Sequence, residues 1–457
     1  MSWKPEYTTG DTICALATPE GVGAIGVIRV SGPDAITITN DLFVGKNLLK
    51  QASHTAHFGK ISIEGKLIDE VLTTLFIAPK SYTGEHTVEI SCHGSPYIQQ
   101  QLLQLLVSSG CRMAKPGEFT LRAFLNKKLD LSQAEAVADL IASSSEATHQ
   151  TALQQMRGGF SQNISEMRER LINFASLIEL ELDFAEEDVE FAKRDELNAF
   201  VQHVLQLIYK LIDSFSYGNA IKNGIPTVIV GKPNAGKSTL LNTLINENRA
   251  IVSDIEGTTR DTIEEVFTID GILFRLIDTA GIRKKANDQI EEIGIERTFE
   301  KIQKASIIIY LFDASKTTDQ QLSDELKQFE NINAIIVPVA NKTDLIEHVT
   351  AYTTKGIVPV SAKNANGIEA LKQRLTEIVK RDEVKNDIII TNLRHFEALK
   401  YAAQSLEQVL IGIDSEISGE LMAFDIRKAL FHLGEITGEV TTDDLLANIF
   451  SKFCIGK

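Results

Sequence analysis

The stretch Thr227-Val-Ile-Val-Gly231-Lys-Pro-Asn-Ala-Gly236-Lys237-Ser238-Thr239-Leu-Leu decides how this chain is read. An apolar, β-branched run leads into a glycine-bounded loop, and helical patterning follows over 239–245. That is G-x-x-x-x-G-K-[ST] in the strand–loop–helix context it requires. The glycines let backbone N–H groups turn toward phosphates, and the helix start adds positive potential. Asn234, Ala235, Gly236, Lys237, Ser238 and Thr239 therefore form a phosphate cradle. Lys237 is placed to reach the β- and γ-phosphates and Ser238 to bind Mg²⁺. Taken alone, the motif says only that a nucleoside triphosphate binds.

Downstream motifs choose the base. Phe274-Arg-Leu-Ile-Asp278-Thr-Ala-Gly281 is a strand ending in an Asp for the Mg²⁺ shell, and the Gly281 N–H can sense the γ-phosphate. The strand 334–340 runs into Asn341-Lys342-Thr-Asp344. The Asp344 carboxylate can accept two hydrogen bonds from guanine, a donor pair that adenine lacks. Ser361-Ala362-Lys363, after a strand at 356–360, completes the pocket. Between the first two motifs, Ser253-Asp-Ile-Glu-Gly-Thr258-Thr259-Arg-Asp261 reads as a switch loop whose Thr ligates Mg²⁺. Ile282 stands near where Ras-like GTPases keep a water-orienting Gln, so hydrolysis needs another group. Glu291 and Glu292 are the candidates.

Working outward, 218–381 alternates strands and helices, the pattern of a parallel α/β sheet. Helix flanks it. Leu153, Met156, Phe160, Ile164, Met167, Leu171, Phe174, Ile178 and Leu182 step by three or four, which predicts one face of a single long helix. Helices are also expected at 392–413 and 419–433. The acidic run 179–188 reads as a solvated helix end. Residues 12–18, 23–30, 71–78 and 87–91 read as strands and 97–109 as a helix. Gly21-Val-Gly-Ala-Ile-Gly26 matches G-x-G-x-x-G, but a β-branched run follows instead of a helix, so hairpin glycines are expected rather than a dinucleotide site. The fold class is thus α/β plus α: a mixed α+β N-terminal domain (1–120), an all-α domain (121–217 and 382–457) and a Ras-like P-loop GTPase domain (218–381) inserted into the helical one.

Composition agrees. The chain has 457 residues, too many for one ordinary core, and is 43% hydrophobic and 24% charged. No apolar run approaches the ~18 residues of a membrane helix, and the start lacks a signal-peptide core, so a cytoplasmic location is expected. Four scattered cysteines give no zinc or disulfide pattern. The net charge of −16 makes non-specific nucleic-acid binding unfavourable, so any RNA substrate needs a local patch or a partner.

The motifs Gly-x-Pro-Asn-Ala-Gly-Lys-Ser, Gly-Thr-Thr-Arg-Asp and Asp-Thr-Ala-Gly resemble those of the bacterial TrmE/Era/EngA branch of GTPases. Lys115-Pro-Gly-Glu-Phe119, Arg122-Ala-Phe-Leu-Asn126, Lys128-Leu-Asp-Leu-Ser-Gln-Ala-Glu-Ala136 and Phe453-Cys-Ile-Gly-Lys457 narrow the resemblance to the MnmE (TrmE) family of tRNA modification GTPases, over essentially the whole chain. That resemblance implies installation of aminomethyl-type groups, carboxymethylated or not, on C5 of wobble uridine. It implies an FAD-dependent MnmG-type partner forming a heterotetramer, a homodimer joined through the N-terminal domain, and a 5-formyl-tetrahydrofolate-type cofactor there. Arg29, Glu89, Lys128 and Lys457 match the folate-contacting positions. Asn234, Ser253, Ile255 and Thr258 match K⁺ ligands, Ser238 and Thr259 match Mg²⁺ ligands, and Glu291 matches the water-activating glutamate. Cys454 is either a structural thiol or, by family association, a catalytic residue near the modification site. The tRNA is expected to be held largely by the partner. The alternative is a regulatory GTPase switch in ribosome assembly or signalling, which needs neither a folate pocket nor a special C-terminus.

Overall fold

The computed structural model describes residues 10–63, 65–183, 193–248, 265–277, 305–329, 332, 334–347, 349–380, 388–415 and 417–456. Contacts divide the chain into two compact units. One comprises Met1–Ala138, Gln155–Glu169 and Phe431–Lys457, the other Asp139–Gln154 and Arg170–Leu430.

The first unit is built on strands β1 (Ile13–Leu16), β2 (Ile25–Ser31), β3 (Phe43–Val44), β4 (Thr55–Ile63), β5 (Lys66–Phe76), β6 (Thr87–His93) and β7 (Arg112–Met113). They form one sheet in the order β3-β4-β5-β6-β2-β1-β7. Its pairs are antiparallel except β1 with β7. Alternation puts Ile28, Val30, Val71, Leu75, Val88 and Ile90 into a core covered by the helices Ala35–Leu42 and Pro96–Ser108. Gly21 and Gly23 lie in the β1–β2 connection, where the Gly23 N–H donates to Gly94 O at 2.9 Å. Gly26 belongs to β2, and a Cβ there would meet Gln99 Nε2 at 2.5 Å. These glycines serve a hairpin and a close helix approach, as the β-branched run after them implies.

Helix Glu118–Leu125 buries charge. Glu118 is 2% exposed and Arg122 5%. Arg112 bonds both Glu118 oxygens at 2.6 and 3.0 Å, and Arg122 reaches Glu118, Asp11 and Glu85. Such groups are tolerated in a core only when paired. Leu121, Leu131 and Ala134 pack with Leu446, Ile449, Phe450 and Phe453 from the far end of the chain. The approach is close enough that a Cβ on Gly117 would meet Phe450 O at 2.6 Å.

In the second unit, β8 (Ile225–Val230), β9 (Glu265–Ile269), β10 (Ile272–Leu276), β11 (Ile307–Asp313), β12 (Ile335–Asn341) and β13 (Val358–Pro359) form a sheet in the order β13-β12-β11-β8-β10-β9. All pairs are parallel except β9 with β10. β11 is apolar from Ile307 to Phe312 because both its faces are covered. Ile307, Ile309 and Leu311 join a cluster with Leu240, Leu241, Leu371 and Leu375, while Ile308, Tyr310 and Phe312 join one with Leu322 and Phe329. The flanking helices meet as expected of an insertion. Arg194–Asn223 packs along Leu393–Asp414, with Phe215 and Phe396 stacked at 4.5 Å and the Ile390 N–H donating to Ser214 Oγ at 3.1 Å.

Three expectations need correction. The single long helix is two, Glu146–Met156 and Gly159–Asp183, because Gly158 takes φ +84° and ends the first. Its Cβ position lies 2.8 Å from Gln133 Nε2, so a side chain there would also clash. The apolar periodicity ran through this break because both helices bury the same kind of face. The acidic run is not simply solvated at its start: Glu181 pairs with Arg194 at 2.6 Å, and Glu179 pairs with Arg427. Finally, the helix after the phosphate loop begins at Lys237, two residues earlier than the pattern indicated.

Candidate functional site

The phosphate loop leaves β8 and enters Lys237–Asn248. Asn234 and Gly236 have φ +63° and +101°, the left-handed geometry that turns successive N–H groups inward. A Cβ on Gly231 would meet Leu311 O at 2.0 Å, so only glycine lets the loop lie this close to β11. Lys237 Nζ donates to the Gly231 and Lys232 carbonyls at 2.6 and 3.0 Å. Burial holds its ammonium below the usual lysine pKa. An anion in the loop would supply the charge that these carbonyls only partly replace. The cradle's backbone, its lysine and the hydroxyl position of Ser238 at the helix start fit a phosphate chain.

The base-side residues are joined by one side chain. Asn341 ends β12 and is 3% exposed. Its Nδ2 donates to Ala235 O at 2.7 Å, and its Oδ1 accepts from the Ala362 N–H at 3.0 Å. It therefore fastens the phosphate loop to the Ser361–Lys363 loop. A Cβ on Gly236 would come within 2.2 Å of Asn341 Nδ2, so that glycine makes room for the bridge. Ser361 Oγ donates to Asp344 Oδ1 at 2.6 Å, which orients an otherwise exposed carboxylate. Thr243 Oγ1 donates to Ala362 O at 3.0 Å. Lys342 has φ +64°, and its Nζ donates to Asp313 Oδ2 at 2.7 Å.

Thus Asn234, Ala235, Gly236, Lys237, Ser238 and Thr239 share one loop-and-helix start, and Asn341, Lys342, Asp344, Ser361, Ala362 and Lys363 surround the same end of the sheet. Ser253, Ile255, Thr258, Thr259, Asp278, Gly281, Glu291, Glu292 and Lys457 lie outside the described residues. Sequence reasoning missed Thr243 and Asp313. Asp313 carried a signal, an acidic residue closing a hydrophobic strand, which is the same cue that singled out Asp278.

A second cluster lies in the first unit. Arg29 and Glu89 are cross-strand partners on β2 and β6. The Arg29 Nε and Nη2 atoms donate to Glu89 Oε1 at 3.0 and 2.8 Å. The guanidinium faces the Tyr82 and Phe119 rings at 5.3 and 5.6 Å, and Nη1 reaches Gly456 O at 3.5 Å. Tyr82 OH and Thr120 Oγ1 are 2.9 Å apart. Beside them an open cleft of about 460 Å³ is lined by His54, Phe76, Lys80, Ser81, Tyr82 and Lys128. Lys128 Nζ donates to Pro79 O at 3.2 Å. The cleft has aromatic walls and two lysines, and it shares Tyr82 with the Arg29 cluster, although Arg29 and Glu89 do not line it. Of the four cysteines, Cys14, Cys92 and Cys111 are buried and Cys454 is exposed, its carbonyl accepting from the Gly117 N–H at 3.4 Å. Among the described residues, no helix is long and apolar enough to cross a membrane.

The chain matches known proteins over nearly its whole length. Residues 131–454 match the model of the MnmE helical domain, and residues 12–128 match that of the GTP-binding protein TrmE N-terminus. The tRNA modification GTPase MnmE of Cytophaga hutchinsonii is 57% identical, the match covering 98% of each chain. The proteins of the same name from Christiangramia forsetii and Flavobacterium psychrophilum are each 54% identical over 98% of this chain and 99% of theirs.

Proposed function

Because this chain belongs to the MnmE family of tRNA modification GTPases, we propose that it couples GTP hydrolysis to the building of an aminomethyl-type group on C5 of wobble uridine in tRNA. What supports this reading is that one chain holds both the nucleotide loops and a second cluster of charged and aromatic side chains. A switch protein needs only the phosphate loop and base pocket, whereas the Arg29–Glu89 pair and the lysine-lined aromatic cleft beside Tyr82 give this chain groups for a second ligand.

In this reading Asp344, Asn341 and Ser361 select guanine, and Lys237 holds the terminal phosphates. Ser238 with Thr259 would hold Mg²⁺, and Asn234 with Ser253, Ile255 and Thr258 would hold K⁺, cations that compensate phosphate charge as an arginine finger does elsewhere. Glu291, or its neighbour Glu292, orients the attacking water and accepts its proton. Arg29, Glu89, Lys128 and Lys457 would hold a 5-formyl-tetrahydrofolate-type cofactor, which supplies the one-carbon unit. Arg29 cannot shift far, since Glu89 and two aromatic rings fix its plane. Cys454 presents an exposed thiol from the tail segment. The working assembly is a cytoplasmic homodimer joined to an FAD-dependent MnmG-type partner, which carries much of the tRNA contact because this chain is acidic.

The test is mass spectrometry of tRNA nucleosides from cells lacking the protein, with and without restoration. Loss and recovery of C5-modified wobble uridines support the reading. An unchanged profile rejects it and leaves a regulatory GTPase.

A further inference from the structure

We propose that Asp313, which lies outside every nucleotide motif read from the sequence, is a positioning residue for guanine recognition. It acts through Lys342.

β11 and β12 are parallel, and Asp313 is the register partner of Asn341. The Ala314 N–H donates to Asn341 O at 2.9 Å, so the two strand ends are tied at the point where the base-reading loop begins. The next residue, Lys342, has φ +64°. A side chain with a Cβ disfavours that region, and something must hold it there. The holder is the Asp313 carboxylate, whose Oδ2 accepts from Lys342 Nζ at 2.7 Å. Its other oxygen accepts from the Ser315 N–H at 3.0 Å and from Ser315 Oγ at 2.7 Å. The carboxylate is therefore fixed from both sides, with its side chain 12% exposed.

The consequence falls on the flanking residues. Asn341 precedes the left-handed turn and points to Ala235 and Ala362; Asp344 follows it and meets Ser361. If the turn relaxes, those two side chains lose their common orientation. The Asp313 carboxylate bonds Lys342 and Ser315 rather than either of these side chains, yet it sets both. A charge-assisted bond of this kind is about twice as strong as a neutral one, and its loss should cost on the order of tenfold in affinity.

The inference rests on reading 341–344 as the guanine pocket, and the experiment separates the two. Fluorescent (mant) GDP, IDP and XDP would be titrated against the full-length chain and its D313N, K342M, D313N/K342M and D344N variants. Thermal unfolding and GTP turnover would be measured alongside. D313N is isosteric; with its oxygen kept for Ser315 it turns an NH2 donor toward Lys342 Nζ, so it removes both the charge and the Lys342 acceptor. The expected result is that D313N and K342M each weaken mant-GDP about tenfold, mainly through faster release. The double variant should match the singles. In D313N the preference for GDP over IDP, which reports the Asp344 contact to the 2-amino group, should shrink about threefold, with KM raised and the unfolding temperature unchanged. GDP affinity within twofold of wild type in D313N overturns the proposal. So does full additivity in the double variant, or an affinity loss that appears only with a lowered unfolding temperature. D344N should favour XDP, because xanthine carries a carbonyl where guanine carries the amino group. If D344N does not switch, the pocket reading itself fails; if it switches while D313N is silent, only the role of Asp313 fails.

Discussion

Replacing Asn341 with Ala should uncouple the two halves of the nucleotide site. The side chain is 3% exposed and makes two bonds, to Ala235 O at 2.7 Å and from the Ala362 N–H at 3.0 Å. Each is worth about 1 kcal/mol net, and a buried group left unpaired costs ~1–3 kcal/mol. Water can enter from the open side of the site and recover part of that cost, so the expected total is about 2–4 kcal/mol. Expressed in nucleotide affinity, this is roughly 30- to 1000-fold. Titration with a fluorescent GDP reads it directly, and thermal unfolding without nucleotide reads whatever share falls on stability. Asn341→Asp sharpens the comparison. It keeps the acceptor for Ala362 but turns an oxygen toward the Ala235 carbonyl, so it should be no better than Ala. An Asn341→Ala protein that binds GDP within threefold of wild type and melts at the wild-type temperature would refute the bridging role.

Three further outcomes are expected. Glu291→Ala should bind GTP with near wild-type affinity while single-turnover hydrolysis falls at least a hundredfold, and the wild type should hydrolyse faster in K⁺ than in Na⁺; normal turnover by the variant would move the role to Glu292. Arg29→Ala should lose binding of 5-formyl-tetrahydrofolate, followed by calorimetry, while GTP hydrolysis persists, and joint loss of both would show that the cleft is not a separate site. The third concerns pH. Burial raises the Glu118 and Asp11 carboxyls, but their bonds to Arg112 and Arg122 outweigh it and leave both below their ordinary 4.5 and 3.8. Their contribution is therefore complete above the unfolded values and is lost as pH falls through the folded ones. Glu118→Gln should cost about 1–3 kcal/mol at pH 7, because it removes a charged partner from the buried Arg122 and the partly exposed Arg112, both of which keep Asp11, and should flatten the loss of stability below pH 4.5. A variant melting with the same acid dependence as wild type would contradict this.

The parts of this molecule that were legible in the sequence are those where a local pattern and a chemical need coincide. The phosphate loop required glycines, a lysine and a hydroxyl between a strand and a helix, and all were contiguous. The insertion of the α/β sheet was legible because the flanking helices each showed an apolar face with nothing local to cover it. Gly158 escaped because a glycine inside a regular apolar stripe looks like a tolerated defect, whereas its φ of +84° ends the helix. The pairing of Arg29 with Glu89, 60 residues apart, depends on strand register, which alternation alone does not supply. The family resemblance named both residues as folate-contacting positions, not as partners of each other. Asp313 was missed because its partner Lys342 is 29 residues away and already had a motif to belong to.

The packing of Phe450 and Phe453 onto Leu121 and Leu131 has a temporal meaning. The first unit gains its closing segment roughly 290 residues after Ala138. At translation rates of ~5–20 residues per second, that is a wait of about 15–60 s. Throughout it, the helices that carry Leu121 and Leu131 lack the Phe450 and Phe453 side chains that pack on them in the finished fold. The earliest part of the chain to be made is thus among the last to be finished, and it depends on holding a partly formed apolar surface out of aggregation while a whole GTPase domain is synthesised behind it.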